Sequence, residues 1–188
     1  MAFFIVLEAL DGVGKTTLVK NLVENYGYKA LDTPGIELKP FQQQILTGLG
    51  ESQTARALFY AATVQAEGQK AMSLRRSGQC VVMDRYSAST IAYAKARGVT
   101  LELDTVLSQA AKPDLTILLT LNEQERRERL KYRGTNKEDL ETLDDDFRQQ
   151  VLIELRQRSD AELNLSGNSE QEAIAKVTDC IRARLNYL

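Results

Sequence analysis

The first apolar run, Phe3-Phe4-Ile5-Val6-Leu7, has no polar interruption and is branched and aromatic, which predicts a strand buried on both faces, as in a parallel sheet. From Thr16 to Tyr26 the spacing changes: Leu18, Leu22 and Val23 recur at helical intervals, and Gly27 ends the pattern. Tyr28 to Leu31 reads as a short second strand, and Asp32-Thr33-Pro34-Gly35 as a turn followed by a loop. Ser52 to Arg76 is rich in Ala, Gln, Leu and Arg with one interior Gly68, which predicts a long helix or two helices end to end. Gln79 to Met83 is the next buried strand, with Asp84-Arg85-Tyr86 at its carboxyl end, the edge where ligands gather in such sheets. Helices are expected over Ser87 to Arg97 and Leu101 to Ala111, then a strand over Asp114 to Leu121. Asn122 is placed to cap a helix reaching Arg133. Beyond a break at Gly134 to Asp139 come a polar helix over Leu140 to Arg158, a short strand at Leu163 to Leu165, and a closing helix over Gln171 to Leu185. Strands alternating with helices imply an α/β fold: a parallel sheet of about five strands with helices on both faces.

The chain has 188 residues, which suits one domain spanning 1–188, and its 43% hydrophobic share is enough for a core without disulfide or metal. Lys plus Arg number 24 against 26 for Asp plus Glu, a net charge of −2. That balance lacks the basic excess of a nucleic-acid or anionic-membrane binder. Histidine is absent, which excludes the Ser-His-Asp triad and histidine-bearing zinc sites. The two cysteines, Cys80 and Cys180, lie far apart and read as thiols in a reducing compartment. The N-terminal apolar run is short, lacks a basic leader and is closed by Glu8, so neither a signal peptide nor a membrane anchor is expected, and the location expected is cytoplasmic.

Between the first strand and its helix stands Ala9-Leu10-Asp11-Gly12-Val13-Gly14-Lys15-Thr16-Thr17. This is the phosphate-loop pattern Gly-x-x-x-x-Gly-Lys-[Ser/Thr], with Ala9 in place of the first glycine. Gly12, Val13, Gly14, Lys15, Thr16 and Thr17 are therefore the expected cradle for ATP phosphates. Lys15 reaches the β- and γ-phosphates and Thr16 offers its hydroxyl to Mg2+. Two further motifs imitate GTPases: Asp32-Thr33-Pro34-Gly35 resembles Asp-x-x-Gly, and Asn136-Lys137-Glu138-Asp139 resembles Asn-Lys-x-Asp. Context argues against both. Thr16 to Asp32 leaves no room for a switch loop and extra strand, and the second motif follows a basic helix instead of a buried strand.

Taken in order, Glu8 to Thr17, Leu58-Phe59-Tyr60-Ala61-Ala62, Asp84-Arg85-Tyr86 leading to Ser89-Thr90-Ile91-Ala92-Tyr93, and Lys112-Pro113-Asp114-Leu115-Thr116 resemble the thymidylate kinase family along nearly the whole chain. The resemblance implies transfer of the γ-phosphoryl of ATP to dTMP, with Mg2+, in a homodimer. It further implies that Phe59 stacks on the acceptor base and Arg85 grips the acceptor phosphate. Ser89, Thr90 and Tyr93 would line the same pocket, and Asp11 would meet the sugar 3′-hydroxyl or an arginine. Asp84 either orders Mg2+ through water or caps its loop, and Phe59 is alternatively plain core. The bacterial form of the family supplies cations from a lid. Arg129-Leu130-Lys131-Tyr132-Arg133-Gly134 agrees with that, placing a lid at about 129–140 with Arg133 and then Arg129 as its catalytic cations. The alternative is a solvated helix laced with ion pairs.

The resemblance fails at two acceptor-side positions. Thr63 stands where the family has an arginine one turn after the stacking phenylalanine, and the loop Leu31 to Ile36 keeps Pro-Gly without the preceding Arg-Glu. Arg56 or Lys39 are the candidates to compensate. A deoxynucleoside kinase, a GTPase-like switch and a catalytically impaired regulatory relative remain the competing readings. The long helix from Ser52 is the expected dimer face.

Overall fold

The apolar run at the N-terminus becomes the middle strand of the sheet. In the computed structural model, which describes residues 2–134 and 137–185, strand β1 (Phe4–Ala9) is buried at every position. It is followed by α1 (Lys15–Tyr26), β2 (Lys29–Asp32), a 3-10 turn at Lys39–Phe41, α2 (Gln42–Gly48) and α3 (Gln53–Arg76). Next come β3 (Val81–Asp84), α4 (Ser87–Ala96), α5 (Leu103–Val106), β4 (Leu115–Thr120) and α6 (Glu123–Arg133). The described chain ends with α7 (Lys137–Glu141), α8 (Asp145–Gln157), β5 (Ala161–Asn164) and α9 (Glu170–Leu185). The sheet has five strands, in the order β2-β3-β1-β4-β5, and every pairing is parallel. All five carboxyl ends therefore share one edge.

Alternation along β1 divides the core. Ile5 and Leu7 face a layer made with Leu18 and Leu22 of α1, Val151 and Leu155 of α8, and Val177 and Ile181 of α9. Phe4 and Val6 face the other layer, with Ala57, Ala61, Val64 and Ala71 of α3. These small residues, together with Gly68, let the long helix approach the sheet; a Cβ on Gly68 would lie 2.1 Å from the Tyr86 hydroxyl.

The α/β reading of the sequence holds, and the departures have local causes. Gly27, at φ 70, ends α1 as expected, and its N–H reaches the Val23 carbonyl (3.1 Å). The helix expected over Leu140 to Arg158 is two. Asp144 starts the second by accepting from the Phe147 N–H (2.8 Å). The carbonyls of Thr142 and Leu143, which a continuous helix would use, are taken by Arg126 (2.8 Å) and Arg127 (2.9 Å). The helix expected over Leu101 to Ala111 shrinks to α5, where the Ser108 hydroxyl turns back onto the Thr105 carbonyl (2.8 Å). The loop expected after Gly35 contains the 3-10 turn and α2; Pro40 near its start was the available signal.

Candidate active site

The loop from Leu10 to Gly14 joins β1 to α1 at the carboxyl edge. Gly12 (φ 87) and Gly14 (φ 106) occupy the left-handed region that favours glycine. Ala9 is instead a fully buried strand residue, which is why the missing first glycine does no harm there. Val13 is buried, while Thr16 and Thr17 stand exposed at the start of α1. Lys15 is almost buried and pairs with Asp84 at 2.9 Å. Burial, aided by the Arg85 charge, pulls its ammonium below the usual lysine range, against the opposing pull of Asp84 and Asp11.

These donors suit a magnesium ion that arrives with a nucleotide. Among the described residues no group of three or more acidic or thiol side chains forms a metal cage. The Thr16 hydroxyl and the Asp84 carboxylate would be the one or two protein oxygens that Mg2+ needs beside phosphates and water. The Asp84 carboxylate is engaged by Lys15.

Arg85 follows β3 directly and is the non-glycine residue with positive φ (63) among those described. Its guanidinium meets Asp11 of the phosphate loop (2.9 Å) and the Ser89 hydroxyl (3.2 Å), and it lies 5.4 Å from the centre of the Tyr93 ring. Burial works against the Asp11 charge, but Arg85 and Lys15 outweigh it and hold the carboxyl below its ordinary value. Asp11 is paired with an arginine, Arg85.

A cavity opens beside Arg85. Asp11, Arg85, Ser89, Thr90 and Tyr93 line it. Two of the expected hydroxyls are spent on the protein. Ser89 donates to Glu8, and Thr90 donates to the Tyr86 carbonyl (3.2 Å). The hydroxyl of Tyr86, in contrast, is buried at the wall with no hydrogen-bond partner among the described residues. Phe59, expected to stack on the acceptor base, does not line this cavity. It is half-buried and packs against Tyr60, ring centres 5.2 Å apart, and Tyr60 is the aromatic on the wall.

The wall also holds Thr33, Gln42 and Arg97, which the sequence reading missed. Arg97 was legible as the residue four after Tyr93 on one helix face; it stacks over that ring at 5.5 Å and pairs with Glu141 (2.6 Å). Thr33 donates to the Arg85 carbonyl (3.2 Å). The proposed compensators stand elsewhere: Lys39 pairs with Asp32 at the outer edge of β2, and Arg56 is not on the wall. Thr63, in the place of the family's arginine, is buried and donates to the Tyr60 carbonyl (2.8 Å).

The basic helix α6 is not merely a solvated charged face. Arg126 is 1% exposed and bonded to Glu123 (2.7 and 2.9 Å), the Asp11 carbonyl (3.1 Å) and both the hydroxyl and carbonyl of Thr142 (3.1 and 2.8 Å). Arg129 donates to the Val13 carbonyl (3.1 Å), so it sits on the phosphate loop. Arg133 is exposed, and its Nη2 alone donates to both carboxylate oxygens of the fully buried Asp139 (2.8 and 2.9 Å). Part of the expected lid, residues 135–136, lies outside the described residues, as does Asn136 of the GTPase-like motif. Asp139 of that motif is occupied by Arg133.

A family model described as thymidylate kinase matches residues 7–176. The chain is similar to the probable thymidylate kinase of Pyrococcus horikoshii, at 40% identity over 71% of this chain and 72% of the relative. It is also similar to the thymidylate kinase of Baumannia cicadellinicola, at 29% identity over 95% and 92%. Among solved structures it resembles the thymidylate kinase from Candida albicans, with a TM-score of 0.81, covering 100% of this chain and 94% of that one. The 21% identity of that pair speaks for the fold alone. With its phosphate loop, its Asp84-Arg85-Tyr86 edge and a family match over most of its length, the chain belongs to the thymidylate kinase family and is an ATP-dependent nucleoside monophosphate kinase.

Proposed function

We propose that the chain transfers the γ-phosphoryl of ATP to dTMP, with the donor on the phosphate loop and the acceptor in the cavity beside Arg85. The observation that carries the assignment is the Arg85–Asp11 pair, which joins the acceptor cavity to the donor loop at 2.9 Å. The loop N–H groups and Lys15 hold the donor phosphates, and Arg85 holds the acceptor phosphate through a planar, bidentate guanidinium. The acceptor phosphate, with a second pKa of about 6, is largely ionised at neutral pH and attacks in line without a general base. That suits a chain without histidine. Thr16 and Asp84 would hold Mg2+, which neutralises charge on the donor phosphates when bound. Arg129 and Arg133 bring positive charge to the transferring group from a lid at about 129–140 of one catalytic domain. Closure of that lid excludes water. Tyr60 offers the acceptor base an aromatic wall. The working form is a cytoplasmic homodimer paired along α3.

A rival deoxynucleoside kinase needs a free carboxylate beside the acceptor hydroxyl. Here Glu8, Asp11 and Asp84 are each committed to internal partners. The test is diphosphate formation from ATP and Mg2+ with a panel of nucleosides and monophosphates. The expected product is dTDP from dTMP; phosphorylation of thymidine alone, or GTP hydrolysis without an acceptor, would replace the assignment. Arg85→Ala is expected to lower kcat/KM for dTMP by ten- to a hundred-fold or more while ATP binding persists, from the roughly 1.5–3 kcal/mol of a charged hydrogen bond.

A further inference from the structure

Glu8 closes the apolar run of β1 and is fully buried, yet nothing in the phosphate loop's chemistry uses it. Its carboxylate is spent on one short segment across the sheet. Oε1 accepts the backbone N–H of Tyr86 (3.0 Å) and of Ser89 (3.2 Å), and Oε2 accepts the Ser89 hydroxyl. These groups open α4, whose capping residue Tyr86 supplies no side-chain bond of its own. A helix start leaves unpaired N–H groups and a partial positive charge. Glu8 answers both from a neighbouring strand.

The residue immediately before that segment is Arg85, in a backbone conformation that costs energy for any residue with a side chain and persists only where its surroundings enforce it. Three bonds enforce it here. The Arg85 N–H donates to the Leu7 carbonyl (3.1 Å), its carbonyl accepts from Thr33 (3.2 Å), and the next N–H, that of Tyr86, is the one held by Glu8. The side chain is aimed by the same carboxylate. Because the Ser89 hydroxyl donates its hydrogen bond to Glu8, an oxygen lone pair remains to accept from Arg85 Nη1, while Nη2 rests on Asp11.

We propose that Glu8 is a positioning residue for phosphoryl transfer: acting through Ser89 and the 85–86 turn, it fixes the guanidinium of Arg85 where the acceptor phosphate must land. The proposal rests on the assignment of Arg85 to the acceptor phosphate, and its test separates the two. Glu8→Gln keeps the shape and an oxygen for the two N–H groups, but it turns an NH2 toward Ser89, whose hydroxyl hydrogen then loses its buried acceptor. Ser89→Ala cuts the side-chain link and leaves both backbone bonds to Glu8 in place.

Steady-state kinetics are measured with each substrate varied, in the wild-type and Arg85→Ala backgrounds. Glu8→Gln is expected to lower kcat/KM for dTMP by about ten- to a hundred-fold, with KM for ATP moved by no more than about two-fold. Ser89→Ala shows a smaller loss with the same selectivity. On top of Arg85→Ala, Glu8→Gln adds no more than about two-fold, because the residue it serves is gone. Equal losses toward both substrates, or an undiminished Glu8→Gln penalty without Arg85, would overturn the proposal, since a purely structural role predicts both. If Glu8→Gln does not fold, Ser89→Ala decides: an unchanged kcat/KM for dTMP overturns it. An Arg85→Ala enzyme of full activity removes the acceptor assignment itself. An impaired Arg85→Ala beside a Glu8→Gln enzyme of wild-type kinetics removes only the role of Glu8.

Discussion

Gly68 lies in the middle of a 24-residue helix, a place where alanine is ordinarily better by about 1 kcal/mol. The structure reverses that sign. A Cβ there would come 2.1 Å from the Tyr86 hydroxyl and 3.2 Å from the Ala111 Cβ. Tyr86 cannot swing aside freely: it is 2% exposed and stands edge-on against Phe4, ring centres 5.4 Å apart. Forced overpacking costs about 1–3 kcal/mol, and this overlap belongs at the upper end. After the helical gain, Gly68→Ala should be destabilised by about 2 kcal/mol, or about 4–8 °C in Tm for a chain of this size. Tyr86→Phe removes a buried hydroxyl that has no partner among the described residues, so it should be neutral or stabilising by about 1 kcal/mol. In that background the nearest ring atom to a new Cβ is the former Cζ, at 3.2 Å, and Gly68→Ala should become neutral or better. Urea denaturation of the four proteins without nucleotide closes the cycle, with an expected coupling of about 2 kcal/mol in favour of the double variant. A Gly68→Ala protein more stable than the parent while Tyr86 is intact would refute the reasoning.

Arg126→Leu should cost about 1–3 kcal/mol, because it leaves the carbonyls of Asp11 and Thr142 without their buried donor, while Glu123 keeps Arg127 and Arg148; a denaturation midpoint within error of wild type would contradict this. Asp11 has a native carboxyl pKa below its ordinary 3.8, so its contribution to stability is fully present above that pH and is lost as pH falls through the lower native value. The Tm advantage of wild type over Asp11→Asn should therefore be complete at neutral pH and close on acidification below 3.8, and an advantage that widened in acid would reverse the sign argued here.

The strands and the phosphate loop were legible because each is written locally: an unbroken apolar run, a glycine pair before Lys-Thr, a change of period at Thr16. Arg85 was legible from its place after a buried strand. What stayed hidden depends on contacts distant in sequence. Glu8 looked like the polar end of a strand, and only the approach of Tyr86 and Ser89, about eighty positions on, gives its carboxylate work. Arg126 was indistinguishable from its basic neighbours until the Asp11 carbonyl came within reach. The choice between Phe59 and Tyr60 for the cavity wall turns on the rotation of α3, which a helix with no clear amphipathic stripe does not declare.

The two bonds from α6 to the phosphate loop, Arg126 to the Asp11 carbonyl and Arg129 to the Val13 carbonyl, make helix and loop one mechanical body. Leverage applied beyond Arg133 would be felt at the backbone of that loop. A tilt of the helix would pull two carbonyls outward and so turn the intervening amides. The basic helix is thus a handle on the loop as much as a source of charge.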